Sequence, residues 1–288
     1  MRIHPICPSC LLNRAYMESS FVTDDEELIF KAVGVALKVL AERYFTRDIN
    51  AHIATEMHRR VYEVLGVEDP YKEVKEKANR IAMESLPMIK AFVENQPDRF
   101  RASAIASIIA NTFDYGVMGH DVRDEDFLTF FLTEFKKGLK IDDLDEVRKL
   151  CKGRVCYLTD NCGEIVIDTL FMKEIKKLCE KLTVVVRGKP IISDATLEDA
   201  LAVGVDKIAD EILTNGKGAI GIIEEELPPE TLERLESADV IIAKGMANYE
   251  SLSESRFKPI AFLLKAKCKP IAMDLGVDVG DMVAVLRR

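Results

Sequence analysis

Residues 159–164 read Thr-Asp-Asn-Cys-Gly-Glu and follow the short apolar run 154–158. Asp160 and Asn161 place two oxygen-bearing side chains side by side at an expected strand tip. The helix expected to follow offers backbone N–H groups and a partial positive charge to an anion such as phosphate. A plain helix cap is the competing account, although a cap rarely needs Asp, Asn and Glu together beside a Gly. Asp194 and Thr196 follow a second apolar run, 182–186, and precede an acidic helix that either could cap. If the two strands are neighbours, Asp194 meets Asp160 and Asn161 over the sheet edge. Two carboxylates and an amide carbonyl make a hard oxygen site of the kind Mg²⁺ or Mn²⁺ prefers, with positions left for water and a substrate phosphate.

Lys244 closes a third apolar run, 240–243, and is followed by Gly245. At a strand tip it reaches a phosphate oxygen as a point charge; otherwise it is a surface lysine after an edge strand. Asn248 and Glu250, two residues apart, assist such a site or cap the next turn. In the first half of the chain, Asn111 and Asp114 end a charge-free run and share a helix face. They tie the helix end, or they face the second half and complete a cleft. Asn215-Gly216 is first of all a turn signal. There is no G-x-x-x-x-G-K-[ST] segment and no G-x-G-x-x-G after a strand, so nucleotide and dinucleotide loops have little support. His4, His52, His58 and His120 are scattered, and no Ser-His-Asp or Cys-His arrangement is visible.

The elements that must carry these residues change character near residue 150. Helical spacing of apolar residues runs through 24–44, with Thr23 and Glu26 as a capping box, and through 48–65. A third helix is expected over 71–85, interrupted by Pro87 and resumed over 88–94. Residues 102–113 read as a buried helix, and 124–137 as an amphipathic one with Phe127, Phe130, Phe131 and Phe135 on a face. No strand is expected before residue 150. Beyond it, apolar runs at 154–159, 182–186, 240–243, 259–264 and 282–286 alternate with helices at 164–181, 196–203 and 229–237. That alternation predicts a mostly parallel sheet covered on both faces. The expected organisation is therefore a helical domain over 1–150 and an α/β domain over 151–288. In such sheets ligands bind outside the carboxyl ends of the strands, where Asp160, Asp194 and Lys244 fall.

The balance of 40 Lys and Arg against 49 Asp and Glu gives a formal net charge of −9. No basic stripe is evident, which argues against a nucleic-acid binder. The longest apolar stretches are too short for a bilayer, and the N-terminus lacks a secretory pattern, so a cytoplasmic protein with no membrane partner is expected. Seven cysteines, an odd number, make a disulfide framework improbable. Cys7-Pro-Ser-Cys10 has the spacing of a metal or redox pair, completed by a distant cysteine such as Cys162; two small buried residues at the chain start are the alternative.

Four segments together resemble the DUF89 family of metal-dependent phosphatases, also called damage-control phosphatases. They are Asn111-Thr112-Phe113-Asp114-Tyr115-Gly116, Asp160-Asn161-Cys162-Gly163-Glu164, Lys189-Pro190 with Asp194-Ala195-Thr196, and Lys244-Gly245-Met246-Ala247-Asn248-Tyr249-Glu250. They occur in family order over most of the chain, and Cys7 and Cys10 are similar to the prokaryotic, largely archaeal branch. The resemblance implies an all-helical N-terminal domain on a Rossmann-like three-layer α/β/α domain. It implies a divalent metal held by Asp160, Asn161 and Asp194, which as an oxygen site admits Mg, Mn, Co or Ni. It implies a small phosphorylated metabolite as substrate, such as a sugar phosphate, a phosphopantetheine derivative or a damaged metabolite.

The mechanism expected on this basis is metal-assisted attack of water on a phosphomonoester. Asp160, Glu164 and Lys244 are the catalytic candidates, with Glu164 orienting the water or supporting the metal. Asn111, Asp114, Lys189, Asn248 and Glu250 are the substrate-binding candidates, and Cys7 with Cys10 is a candidate second site. Three rivals stand beside it. In a phosphoaspartyl mechanism of the haloacid-dehalogenase type, Asp160 would be nucleophile, but Cys162 stands where a second Asp is commonly wanted. A carboxyl methyltransferase is ranked low for want of a glycine-rich cofactor turn. A non-catalytic metal- or ligand-binding regulatory module is the third.

Overall fold

The computed structural model describes residues 1–111 and 124–288, the latter with side chains from residue 128 onward. Residues 1–111 carry α1 (Cys7–Val22), α2 (Glu26–Arg43), α3 (Asn50–Leu65), α4 (Lys72–Glu94) and α5 (Arg99–Ala110). From residue 124 come α6 (Asp124–Lys137), β1 (Ile141–Asp142), α7 (Leu144–Leu150), β2 (Arg154–Leu158), α8 (Glu164–Lys176), β3 (Lys181–Val186) and α9 (Leu197–Ala202). The chain closes with β4 (Glu211–Thr214), α10 (Pro229–Ser237), β5 (Val240–Lys244), α11 (Gly245–Leu252), β6 (Ile260–Lys265), α12 (Lys269–Leu275) and β7 (Met282–Arg287).

The strands form one sheet in the order β1-β7-β6-β5-β2-β3-β4. β2 pairs in parallel with both β3 and β5, and β7 runs antiparallel to β6. Side-chain alternation along each strand feeds two cores. Val155, Tyr157, Val184 and Ile242 pack against α4, α5 and α8 on one face. Cys156, Leu158, Val185 and Ile241 pack with Leu235, Tyr249 and Ile271 of α10, α11 and α12 on the other. This is the three-layer α/β/α arrangement. A third core joins α1, α2 and α3, and two residues from loops of the sheet, Ile191 and Ile220, are buried in it. Residues before 150 thus divide between the core of α1–α3 and the sheet core that holds Ala104, Ile108 and Ile109 of α5.

Local readings changed in four places. Pro87 lies inside α4 instead of interrupting it. The carbonyl it leaves without an N–H donor belongs to Met83, which is exposed and open to water. Asp25, not Thr23, caps α2, accepting from the N–H groups of Glu27 and Leu28. The helix after Gly163 ends at Lys176, because residues from Lys181 pair with β2. Two strands were not legible: β1 has two residues, and the four of β4 lack the apolar run of their neighbours. Among the described residues no helix is long and apolar enough to cross a membrane.

Candidate active site

β2 lies between β3 and β5, so the chain order reverses direction across it. An α/β sheet opens a crevice at such a point, above the carboxyl ends of its strands. Thr159-Asp160-Asn161 leaves β2 here, Arg187 leaves β3 and Lys244 ends β5. Asp194 returns to this edge through an isolated bridge with Asn161, and the Ala195 N–H donates to the Asp160 carbonyl at 2.8 Å. Asp194, remote in sequence, is thus brought to Asp160 and Asn161.

Asp160 is buried, and its Oδ2 accepts from Asn111 Nδ2 at 2.9 Å and Asn161 Nδ2 at 2.8 Å. Asn111 also donates to Glu164 Oε2 at 2.5 Å. It follows the last turn of α5 and reaches across to the first turn of α8. Gly163 enters α8 at φ 76°, with its N–H held by Asn79 Oδ1 of α4 at 2.7 Å. Gly245 sits over Asp160 at φ 75°, and a Cβ there would lie 1.9 Å from Asp160 Oδ2. The Lys-Gly pair is therefore a packing requirement: only glycine lets the tip of β5 come this close to the carboxylate.

Arg187, for which sequence reasoning assigned no role, is the largest fully buried side chain. Its Nε donates to Asp194 Oδ2 at 2.5 Å, Nη1 to the Gly221 carbonyl at 3.1 Å, and Nη2 stands 3.6 Å from Asp160 Oδ1. It carries the same sequence signal as Lys244, a cation closing an apolar strand. Asn248 lies beneath it. Its amide donates to the carbonyls of Thr159 and Lys244, and its Oδ1 accepts from Arg187, which ties the strand ends together.

Lys244 occupies a different place from the one expected of a phosphate contact. Its Nζ is fully buried and donates to Glu164 Oε1 at 2.6 Å, Asp168 Oδ1 at 2.7 Å and the Ser107 carbonyl at 3.2 Å. All three donors are used, so it is a counter-ion to two acids and orients Glu164. Asp168 and Ser107 are site neighbours that the sequence did not flag; Ser107 Oγ donates to Asp168 at 2.5 Å. Their signal was polar types inside otherwise apolar helices. Among the described residues an exposed cation at this edge is Lys267, in the turn between β6 and α12, whose charge acts on Asp160.

Two of the substrate-binding candidates stand elsewhere. Lys189 is exposed and lines a surface cleft with Tyr62, Val67 and Lys217 that does not include the acid cluster. Glu250 turns to the N-terminal segment, where Oε2 accepts from Asn50 Nδ2 at 2.9 Å, and burial pushes its carboxyl up to about 7. Asp114 and the rest of its segment, Thr112 to Gly116, lie outside the described residues, as does His120. Among the described residues all seven cysteines are free. Cys7 feels Cys268 and Cys10, and burial raises its thiol to about 11. Cys162 is instead buried beside Asp199 and Lys75. His58 donates to, or accepts a proton from, buried Glu18 at 2.7 Å, which accounts for it structurally.

Burial, with Asp194 and Glu164 nearby, pushes the Asp160 carboxyl up to about 8. Burial raises Asp194 despite Arg187, and pushes Asp168 up to about 6 despite Lys244. Burial by itself would discharge Lys244; Asp168 and Glu164 hold it above its ordinary value. Among the described residues four buried acids (Asp160, Glu164, Asp168, Asp194) contact two buried cations (Arg187, Lys244), so ionising all four would leave four minus two, two, negative charges uncompensated. The buried oxygens Asp194 Oδ1 and Asn111 Oδ1 have no hydrogen-bond partner among the described residues. An oxygen-only donor set two charges short fits a hard dication. Among the described residues no three His, Cys, Asp or Glu side chains form a ready metal cluster, so a cation held here would need an amide oxygen beside the two carboxylates. Asn161 now turns its nitrogen to Asp160, and holding a cation requires it to present its oxygen.

The family described as damage-control phosphatase ARMT1-like domain matches residues 3–283. The chain is 62% identical over 284 residues to a damage-control phosphatase of Archaeoglobus fulgidus, covering 99% of each chain. It is 32% identical over 289 residues to damage-control phosphatase PH1575 of Pyrococcus horikoshii, covering 99% of this chain and 98% of that one. The crystal structure of the DUF89 family protein PH1575 matches the fold with a TM-score of 0.92 at 30% identity, over 100% of both chains.

Proposed function

Because the chain belongs to the damage-control phosphatase ARMT1-like family, we propose that it hydrolyses small phosphorylated metabolites with a divalent cation held by Asp160, Asn161 and Asp194. The observation that carries this reading is the buried acid cluster at the crevice of the sheet, two charges short of neutrality once all its acids ionise. A bound dication supplies charge neutralisation for the phosphate and a polarised water. Arg187 fixes the Asp194 carboxylate from one side and Lys244 fixes Glu164 from the other. Glu164, at the first position of α8, is the residue that orients water beside Asp160. Lys267, an exposed cation of this edge among the described residues, takes the anionic substrate, and the α8 N-terminus adds its partial charge. Asp160 Oδ2 is already engaged by two amides and covered by Gly245, which suits a ligand better than a nucleophile.

The test is a hydrolysis screen of sugar phosphates, nucleotides and pantetheine phosphates with Mg²⁺, Mn²⁺, Co²⁺ or Ni²⁺, each against a chelator control. Activity should require the metal and vanish in Asp160→Ala, with the fold retained. Hydrolysis untouched by chelation, or full activity in Asp160→Ala, would overturn the reading. Tight binding of phosphate esters without turnover would favour a regulatory module.

A further inference from the structure

Ile192 stands at φ 40°, in the left-handed region that β-branched residues avoid. Its N–H donates to the Tyr62 hydroxyl at 3.0 Å, across 130 residues of sequence. Tyr62 belongs to α3 and is buried in the core that also takes Ile191, with Ile192 packed against it. The N–H of the strained residue is thus held from the side of α1–α3. What the turn presents is the site: Ser193 Oγ donates to Asn161 Oδ1 at 2.8 Å, and the Ser193 carbonyl accepts from the Cys162 N–H at 2.8 Å. The Asp194 N–H then closes the turn on the Ile191 carbonyl at 3.1 Å.

We infer that Tyr62 is a positioning residue for Asp194 and, through Ser193, for Asn161: its hydroxyl latches Ile192 in the left-handed conformation that sets Asp194 beside Asp160 and keeps the Asn161 oxygen at Ser193, within reach of a cation by an amide turn. This rests on the reading of those residues as cation ligands. Without the latch the turn relaxes toward an extended backbone, and Ser193 and Asp194 move with it. Glycine at 192 would hold the same φ without help. That makes the latch separable from the general packing of Tyr62.

The experiment is Mn²⁺ binding by calorimetry on the full chain, with wild type, Y62F, I192G, Y62F/I192G and D194N. Amide exchange over residues 190–194 is measured alongside. Wild type should bind and D194N should not. Y62F should bind about 10-fold more weakly, the low end for loss of a contact supporting a ligand, and exchange faster over 190–194. Y62F/I192G should recover most of the affinity. Y62F with wild-type affinity, or a double variant as weak as Y62F, overturns the latch alone. A wild type that binds no Mn²⁺ overturns the cation reading and the latch together.

Discussion

Replacing Lys244 by Met separates its counter-ion role from that of a phosphate contact. The ammonium touches Glu164 and Asp168, and all three side chains are at most 1% exposed. Removing one partner of a buried ion pair costs about 3–5 kcal/mol, because the remaining charge has neither water nor counter-ion. For a chain of this size 3 kcal/mol lowers the melting temperature by roughly 6–12 °C. The loss should depend on pH. Asp168 has a folded value of about 6 against an ordinary 3.8, so its contribution to stability is complete below 3.8 and is lost as pH rises through 6. Without Lys244 its folded value climbs further, so the melting gap between variant and wild type widens from pH 5 to pH 8. Lys267→Met is the control. Lys267 is exposed, so its stability cost should stay within about 0.5 kcal/mol, while KM for a phosphate ester rises. The assay is thermal melting in chelator at pH 5, 6.5 and 8. A K244M protein that melts with wild type at all three, and shows only a raised KM, would refute the counter-ion assignment.

Gly245→Ala should abolish Mn²⁺ binding and lower the melting temperature, since its Cβ would fall 1.9 Å from Asp160 Oδ2 and its φ of 75° is strained for alanine. The backbone term by itself is about 1–3 kcal/mol, and unchanged calorimetric binding would contradict the close approach. Mn²⁺ affinity should rise with pH between 6 and 8, because the Asp160 carboxyl, up at about 8, must release its proton to the cation. Affinity should change by up to about tenfold per pH unit, with about one proton released per ion. Calorimetry in buffers of different ionisation enthalpy reads that proton directly, and a flat affinity would show that Asp160 is already ionised.

Much of this was legible in the chain, and the limits have physical causes. Strands β2, β3, β5 and β6 are buried on both faces and announce themselves as apolar runs; β4, flanked by Glu211 and Thr214, does not. That Asp160, Asn161 and Asp194 come together was legible because polar residues just after the strands of an α/β sheet share one edge. The same rule misjudged Lys244. A cation ending a strand looks alike whether it faces solvent or two acids of the next helix, and the acids that decide it, Glu164 and Asp168, are four apart on α8. Arg187 was obscured for the same reason. Pairing partners are long-range facts, and period and spacing carry only short-range ones.

The division of the site between two helical groups follows from where its charges can be compensated. Asn79 of α4, Ser107 of α5 and Asn111 at the end of α5 contact Gly163, Asp168, Asp160 and Glu164 and leave that wall buried and hydrogen-bonded. Tyr62 of α3 contacts the opposite wall, the turn before Asp194. Among the described residues Arg187, from the sheet itself, is the buried cation that faces both Asp160 and Asp194; Lys75 of α4 is paired with Asp69 and Asp199 and reaches Asp194 through its charge without an ion pair. A single guanidinium between two buried carboxylates cannot neutralise them and leaves Asp194 Oδ1 unpaired. Had the helices offered a second arginine, the cluster would be closed and of no use to a dication. Burying acids with amides and hydroxyls, which satisfy hydrogen bonds without supplying charge, keeps the field open for an ion while the geometry is held in advance.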